Sequence, residues 1–336
     1  MDGYAVRHAD VGGPVELKVR EVLYAGDLPT TPLGPGEAAR IFTGAPLPAG
    51  ADSVVREESA DSRGDRVFLR HEARLGENVR AAGEDVASGG EALPAGARIG
   101  PRQVALLEAV GCLDVDVHRR VRVALLSTGD EVVKGRTPDS NGAALAGLLA
   151  ECGFEVRRTA VGDDASALRE ALSEALTGAD ALISLGGVSV GEKDLVAGAL
   201  GALGAEIRVH GVPMKPGKPF LFAVLGGKPV LGLPGSPSAC LVAFEVFARP
   251  ALLRLAGAAR IDRPRAWLPL AERCEGRPGR ARFLWAALEP DGRVRPVGRD
   301  AAQVRGPALA QALVRIAEGA GDVPEGERVE TWLLGE

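Results

Sequence analysis

At 336 residues the chain is long enough for two or three domains of ~100–200 residues each. Lys and Arg number 40 against 45 Asp and Glu, a formal charge of −5, so no basic excess marks a nucleic-acid or anionic-membrane partner. Gly (45) and Pro (23) together fall short of the ~25–30% of low-complexity chains, and no apolar run approaches the ~20 residues of a membrane span. The start, Met1-Asp2-Gly3-Tyr4, is polar rather than the apolar core of an export signal, and the expectation is a soluble cytoplasmic protein.

Residues 1–80 read as β-rich. Val15–Leu23 alternates apolar and charged residues, which suits a half-buried strand, and Arg66–Arg70 is a second candidate. Turn clusters such as Pro32-Leu33-Gly34-Pro35-Gly36 separate them. Residues 81–118 mix Gly-rich turns with one short helix. Pro101 suits its first turn, and Val104, Leu107 and Val110 share a face.

From residue 119 the pattern changes. Val121–Ser127, Phe154–Val161, Ala181–Leu185 and Glu206–His210 read as strands, alternating with helices over Asn141–Cys152, Ala165–Leu176 and Asp194–Leu203. Phe220–Leu225 and Lys228–Leu233 fit a hairpin turning at Gly226-Gly227, and Ser238–Leu255 a helix interrupted near Pro250. This alternation predicts an α/β domain over 119–262 with a doubly wound parallel sheet. Residues 263–336 return to short strands at Ala266–Ala271, Ala281–Leu288, Arg293–Val297 and Val329–Leu334. The expected architecture is a central doubly wound α/β domain flanked by β-rich domains.

Cys112, Cys152, Cys240 and Cys274 lie far apart with no CxxC pair, which argues against a disulfide framework or structural zinc site. The first three sit among apolar residues and are expected to pack as small hydrophobes. Four histidines with no HExxH or HxH pair leave little material for a His-based metal site or a Ser-His-Asp triad.

Three loops leave the carboxyl ends of predicted strands, where open α/β sheets bind ligands: Ser127-Thr128-Gly129-Asp130-Glu131, Gly186-Gly187-Val188-Ser189-Val190-Gly191-Glu192-Lys193-Asp194 and Leu233-Pro234-Gly235-Ser236-Pro237. Glycines let backbone approach a ligand closely, and adjacent acids suggest a divalent cation shared with phosphate oxygens. Any one loop alone reads as a β-turn with a helix cap. Three in one sheet point to a site. Lys215-Pro216-Gly217-Lys218-Pro219 places two lysines on a segment stiffened by prolines, either a preset oxyanion pocket or a solvated turn. Asn78-Val79-Arg80 followed by Gly83-Glu84-Asp85 gathers an Arg and two acids, and a loose surface ion pair is the plainer reading. Asp163 and Asp164 either cap the next helix or face the pocket.

These motifs, with Met1-Asp2-Gly3-Tyr4-Ala5 and Thr43-Gly44-Ala45-Pro46-Leu47-Pro48, occur in one order along the chain. The chain resembles the MoeA-type molybdopterin molybdenumtransferases, whose eukaryotic relative is the gephyrin E domain. The resemblance is strong to about residue 260 and weaker beyond. It implies insertion of molybdenum from molybdate into adenylylated molybdopterin with release of AMP, assistance by Mg²⁺, a homodimer, and a molybdopterin adenylyltransferase as upstream donor. Thr128, Gly129, Asp130, Gly186, Gly187, Ser189, Gly191, Pro219, Gly235, Ser236 and Ser238 are then expected to hold the pterin nucleotide. Glu131 and Asp194 are the expected metal ligands. Lys215 and Lys218 would hold the anionic substrates. Asp2, Thr43, Arg80 and Asp85 would close the cleft from the partner subunit.

Three departures stand against this. Trp285 occupies the position of an Arg that contributes to the family's molybdate site, and the family's Ser after Gly-Asn-Pro falls on Ala239, with Ser238 one place earlier. The Ser/His cluster of the last domain is replaced near Asp300-Ala301-Ala302. A divergent, weakly active or non-catalytic pterin-binding paralogue is therefore the alternative. The family also carries a further stretch of helical chain before its Asp-Gly-Tyr-Ala motif, so an upstream dimerisation segment is expected, and Asp2 is expected on a frayed terminus unless tied down.

Overall fold

The computed structural model describes residues 1–188, 195–276, 278–298 and 302–335. Ser189, Gly191 and Asp194, and Asp300 with Ala301, lie outside the described residues. The chain forms two compact units, Met1–Ala92 and Leu93–Glu336.

The first unit is one six-stranded sheet. Its strands are β1 (Gly3–Val6), β2 (Val15–Leu23), β3 (Glu37–Ile41), β4 (Ser53–Arg56), β5 (Ala60–Arg63) and β6 (Arg66–Leu69), in the order β4-β1-β3-β2-β6-β5. All neighbours run antiparallel except β2 and β3. The frayed start is corrected here. β1 is an interior strand, buried along its length between β3 and β4, with Tyr4 in one core cluster and Ala5 in another. Gly3 is required at this contact, because a Cβ there would lie 2.1 Å from the Val55 carbonyl oxygen.

In the second unit α1 (Pro101–Ala109) forms where expected, with Pro101 in its first turn, but Val104 and Val110 remain exposed. A six-stranded sheet follows: β7 (Arg122–Thr128), β8 (Glu155–Val161), β9 (Ala181–Leu185), β10 (Glu206–His210), β12 (Leu221–Leu225) and β13 (Lys228–Leu233), in the order β10-β12-β13-β9-β7-β8. The short β11 (Met214–Lys215) leaves this sheet altogether. β13, β9, β7 and β8 are parallel neighbours, whereas β12 runs against both β13 and β10. The sheet is therefore mixed rather than wholly parallel. The Gly226-Gly227 turn forces this, since a two-residue connection can join only antiparallel strands.

Helices α3 (Ser140–Glu151), α6 (Pro237–Ala243) and α7 (Arg249–Leu255) cover one face, packing Leu145, Leu149, Cys240 and Leu252 against Leu125 and Ile183. α4 (Ala165–Leu176) and α5 (Leu195–Ala202) cover the other, with Leu168, Leu172 and Leu200 against Leu126 and Leu182. β7 leads outward to β8, and the return through α4 places β9 on the other side of β7. The chain thus reverses direction between β7 and β9, where the carboxyl ends of the strands leave a crevice. Between α6 and α7 lies a single π turn, Phe244–Ala248, closed by the Arg249 N–H donating to the Phe244 carbonyl just before Pro250, which has no N–H to donate.

A third sheet contains β14 (Arg265–Pro269), β15 (Ala281–Leu288), β16 (Val294–Pro296), β17 (Ala312–Ile316) and β18 (Arg328–Leu333), with the short helix α8 (Arg305–Leu309) before β17. Its order is β11-β15-β17-β18-β14, β16 pairing with β15. β11 joins as a parallel edge strand, Met214 opposite Ala281 and Lys215 opposite Arg282. All four cysteines are free thiols. Cys240 and Cys274 are buried and Cys152 half-buried, but Cys112 is exposed, contrary to expectation. Burial pushes the Cys240 thiol up to about 12, which keeps it protonated and inert. No helix among the described residues is long and apolar enough to cross a membrane.

Candidate active site

The three loops meet at the carboxyl ends of β7, β9 and β13. The Thr128 hydroxyl donates to the Leu185 carbonyl at 2.9 Å, tying the end of β7 to that of β9. The Gly186 N–H donates to the Leu233 carbonyl at 3.0 Å, tying β9 to β13. Gly186 and Gly187 both have positive φ, +83° and +64°. A Cβ on Gly186 would stand 3.0 Å from the Thr128 hydroxyl, and one on Gly187 3.0 Å from Val196. A side chain at either position would be both strained and blocked, so bare backbone faces the crevice. Gly235 lies over Gly186, and its carbonyl accepts from the Asn141 amide at 2.7 Å.

On the β7 loop Gly129 has φ +133° and donates to the Val161 carbonyl at 3.0 Å. The next two residues open the one-turn helix α2 (Asp130–Val133). Asp130 pairs with Lys134 and accepts from the Asp163 N–H at 3.2 Å. The Lys134 ammonium, then that N–H, hold its carboxyl below the usual range. Asp163 in turn accepts from the Asp130 N–H at 3.3 Å, while Asp164 caps α4 through Ser166 and Ala167. The two adjacent acids have therefore divided the capping and loop-facing roles. Glu131 is exposed and folds back over Gly129, where a Cβ would lie 2.7 Å from its carboxylate. Among the described residues no three His, Cys, Asp or Glu side chains converge as a metal cage. A Mg²⁺ shared with phosphate oxygens needs only one or two carboxylates, and Glu131 has the free donor oxygens for that role.

Asp139, which sequence reading passed over, supports the β7 loop from below. It caps α3 through the Gly142 N–H at 2.8 Å and accepts from the Ser127 hydroxyl at 2.8 Å and the Arg158 guanidinium at 2.9 Å. Burial alone would raise its carboxyl, but these bonds outweigh burial and hold it below the usual range. Its stabilising contribution is therefore complete above the free value of 3.8 and is lost as pH falls through the lower folded value. In Asp139→Asn the melting temperature should fall less steeply between about pH 4 and 2 than in the parent, with parallel profiles between pH 6 and 8. Equal acid limbs would refute this reading. An Asp just before a helix is a capping signal in sequence, but its reach to Ser127 and Arg158 is tertiary.

The lysine turn begins at the edge of the third sheet. Lys215 ends β11 on the third sheet, not the α/β sheet. Lys218 anchors the turn through its carbonyl, which accepts from Val212 and Phe220 N–H groups, each at 2.9 Å. Gly217, at φ +105°, lets the turn lie against α6, where a Cβ would stand 3.7 Å from the Ala239 carbonyl. Both lysines are exposed, and neither pairs with a described carboxylate; Pro219 completes the turn half-buried. Ser236 precedes α6 and its hydroxyl makes no capping bond. Ser238 is buried instead, its hydroxyl accepting from the Trp285 indole N–H at 3.0 Å. Trp285 thus touches the residue next to Ala239, another departure read from the sequence. Beside them a cavity of about 1020 Å³ is lined by Asn141, Pro237 and Trp285.

In the first unit Asp2 accepts from both the N–H and the hydroxyl of Thr43, each at 2.9 Å. These two bonds, the N–H first, hold its carboxyl below the usual range. Arg80 is exposed and loosely paired with Glu84 at 3.8 Å, and Asp85 is exposed in the following turn. Asn78 takes a positive φ of +55° and donates to the Val54 carbonyl at 2.8 Å.

Three family profiles match the chain: the MoeA N-terminal region (domain I and II) over residues 1–111, a probable molybdopterin binding domain over 124–254, and the MoeA C-terminal region (domain IV) over 268–334. Molybdopterin molybdenumtransferase 2 of Mycobacterium tuberculosis is 36% identical over 99% of this chain and 87% of its own length. The chain belongs to the MoeA molybdopterin molybdenumtransferase family. Another member, the molybdopterin molybdenumtransferase of Nostoc sp., is 43% identical over 77% of this chain and 63% of its own. Two structures of the molybdopterin biosynthesis protein MoeA from Pyrococcus horikoshii cover essentially the whole chain. One has a TM-score of 0.83 at 26% identity and the other 0.76 at 34%. The three loops and the lysine turn fall within the span matched to the molybdopterin binding domain, and β15, which pairs with β11, falls within the span matched to the C-terminal region.

Proposed function

We propose that this protein transfers molybdenum from molybdate into adenylylated molybdopterin, cleaving the adenylyl phosphoanhydride and releasing AMP, as a cytoplasmic homodimer supplied by a molybdopterin adenylyltransferase. One observation carries the reading. Two glycines with positive φ, a threonine and two carboxylates meet at the carboxyl ends of three adjacent strands, in the span matched to molybdopterin binding. Bare backbone at Gly186 and Gly187 permits close approach of a planar pterin or a phosphate, and Thr128 keeps the two strand ends together. Lys215 and Lys218 offset repulsion between two polyanionic substrates, and holding these in place supplies much of the rate. Glu131 would hold Mg²⁺, which supplies neutralising charge to phosphate oxygens when bound. Gly129, Asp130, Gly235, Ser236 and Pro219 shape the same pocket, with Ser189, Gly191 and Asp194 expected from the adjoining loop. Asp2, Thr43, Arg80 and Asp85 are assigned to closing the cleft from the partner subunit.

The test is direct. Purified protein with adenylylated molybdopterin, molybdate and Mg²⁺ should release AMP in proportion to molybdate added. Tight nucleotide binding without molybdate-dependent AMP release would favour the second reading, a divergent pterin-binding paralogue. The buried Trp285 indole, in place of a guanidinium, is what supports that reading. Under it, Trp285→Arg should raise turnover.

A further inference from the structure

The Gly235–Ser236 loop is fastened from two directions. Asn141 of α3 holds the Gly235 carbonyl at 2.7 Å. Trp285 of β15 holds Ser238, in the first turn of α6, at 3.0 Å. Both members of the second bond are nearly inaccessible, at 6% and 4% exposure, so water does not compete for it. The indole packs with Met214, Val242, Phe283 and Leu313, and an indole N–H in such surroundings must find an acceptor. Ser238 provides it.

β15 has a second connection to the site. It pairs in parallel with β11, setting Lys215 opposite Arg282, three residues before Trp285. One strand therefore fixes both the start of the lysine turn and the start of α6. We propose that Trp285 is a positioning residue for the crevice, acting through Ser238 to hold the Gly235–Ser236 loop in register with the Lys215–Lys218 turn. The inference rests on the pterin-nucleotide reading of the site.

Phe at 285 keeps the ring among its apolar neighbours and removes only the N–H. Calorimetric titration with adenylylated molybdopterin should show Kd raised about 3–10-fold in Trp285→Phe, the range expected for one lost neutral hydrogen bond. Ser238→Ala should match it, and the double variant should be no weaker than either single one. Ser238→Ala, a small change at the same bond, carries the test if Trp285→Phe folds poorly. A further readout separates positioning from general stability. With Trp267 and Trp332 changed to Phe, Trp285 is the only tryptophan left, and its emission should shift as nucleotide binds. Parent-like Kd in both single variants, or losses that multiply in the double variant, would overturn the proposal. Failure of the parent itself to bind nucleotide would instead overturn the functional reading on which it rests.

Discussion

Glu245→Ala should destabilise the second unit by about 1.5–3 kcal/mol, the range for charge-assisted hydrogen bonds in a pair whose carboxylate is buried and whose guanidinium is half-buried. Glu245 lies in the π turn with its side chain 4% exposed, and Arg263 reaches it with two nitrogens, each at 2.9 Å. Without the carboxylate, the half-buried Arg263 guanidinium would stand unpaired beside that of Arg249. Burial, and then the charge on Arg263, already lower the Arg249 pKa. Arg249 cannot replace the carboxylate, being itself a cation with donors only; its Nη1 donates to the Ile261 carbonyl at 2.8 Å and its Nε is buried without a partner. The Arg263 link to the Leu334 carbonyl ties the end of the chain to the same point, so the damage should extend to the third sheet. All three tryptophans lie in residues 93–336, so their fluorescence in urea reports on this unit alone. A loss below 1 kcal/mol would mean that water screens the pair after all.

Lys215→Ala and Lys218→Ala should each lower molybdate-dependent AMP release by about 10²–10³-fold, the effect of removing one placed donor from a developing or bound oxyanion. Both ammonium groups are exposed and unpaired among the described residues, so neither substitution breaks an internal ion pair and folding should be unaffected. Lys218→Arg should recover little, because a planar fork does not reproduce a compact point charge on a fixed turn. Steady-state kinetics with melting temperatures as a control separate the two effects. Full turnover in either alanine variant would remove that lysine from the site.

Much of the fold was legible because burial imposes a period on the sequence. Val15–Leu23, Ala165–Leu176, Ala181–Leu185, Glu206–His210, Lys228–Leu233 and Ala281–Leu288 form over the expected residues. Each is largely alternating, amphipathic at helical spacing, or mostly apolar. The elements that escaped notice have too little of either pattern. β1 is four residues long and β5 is Ala-Asp-Ser-Arg. β11, at two residues, carries no periodicity at all, and its pairing with β15 puts Lys215 on the edge of the third sheet.

For the site, local chemistry was readable and partnership was not. Glycine at 186 and 187 announced a left-handed turn that only glycine takes freely, and a strand followed by Thr-Gly-Asp-Glu announced a loop at its carboxyl end. Those are properties of single residues and their neighbours in the chain. Which acid caps α4 and which faces Asp130, the reach of Asp139 to Ser127 and Arg158, and the bond between Ser238 and Trp285 depend on residues 12 to 47 positions apart or on close competition between neighbours. The sequence by itself therefore determined where backbone would be bare and where charge would be placed. Only the tertiary structure decided which of those charges are already spent on internal partners and which stay free for a ligand, because a hydrogen bond between distant residues exists only after the sheets have brought them within 3 Å.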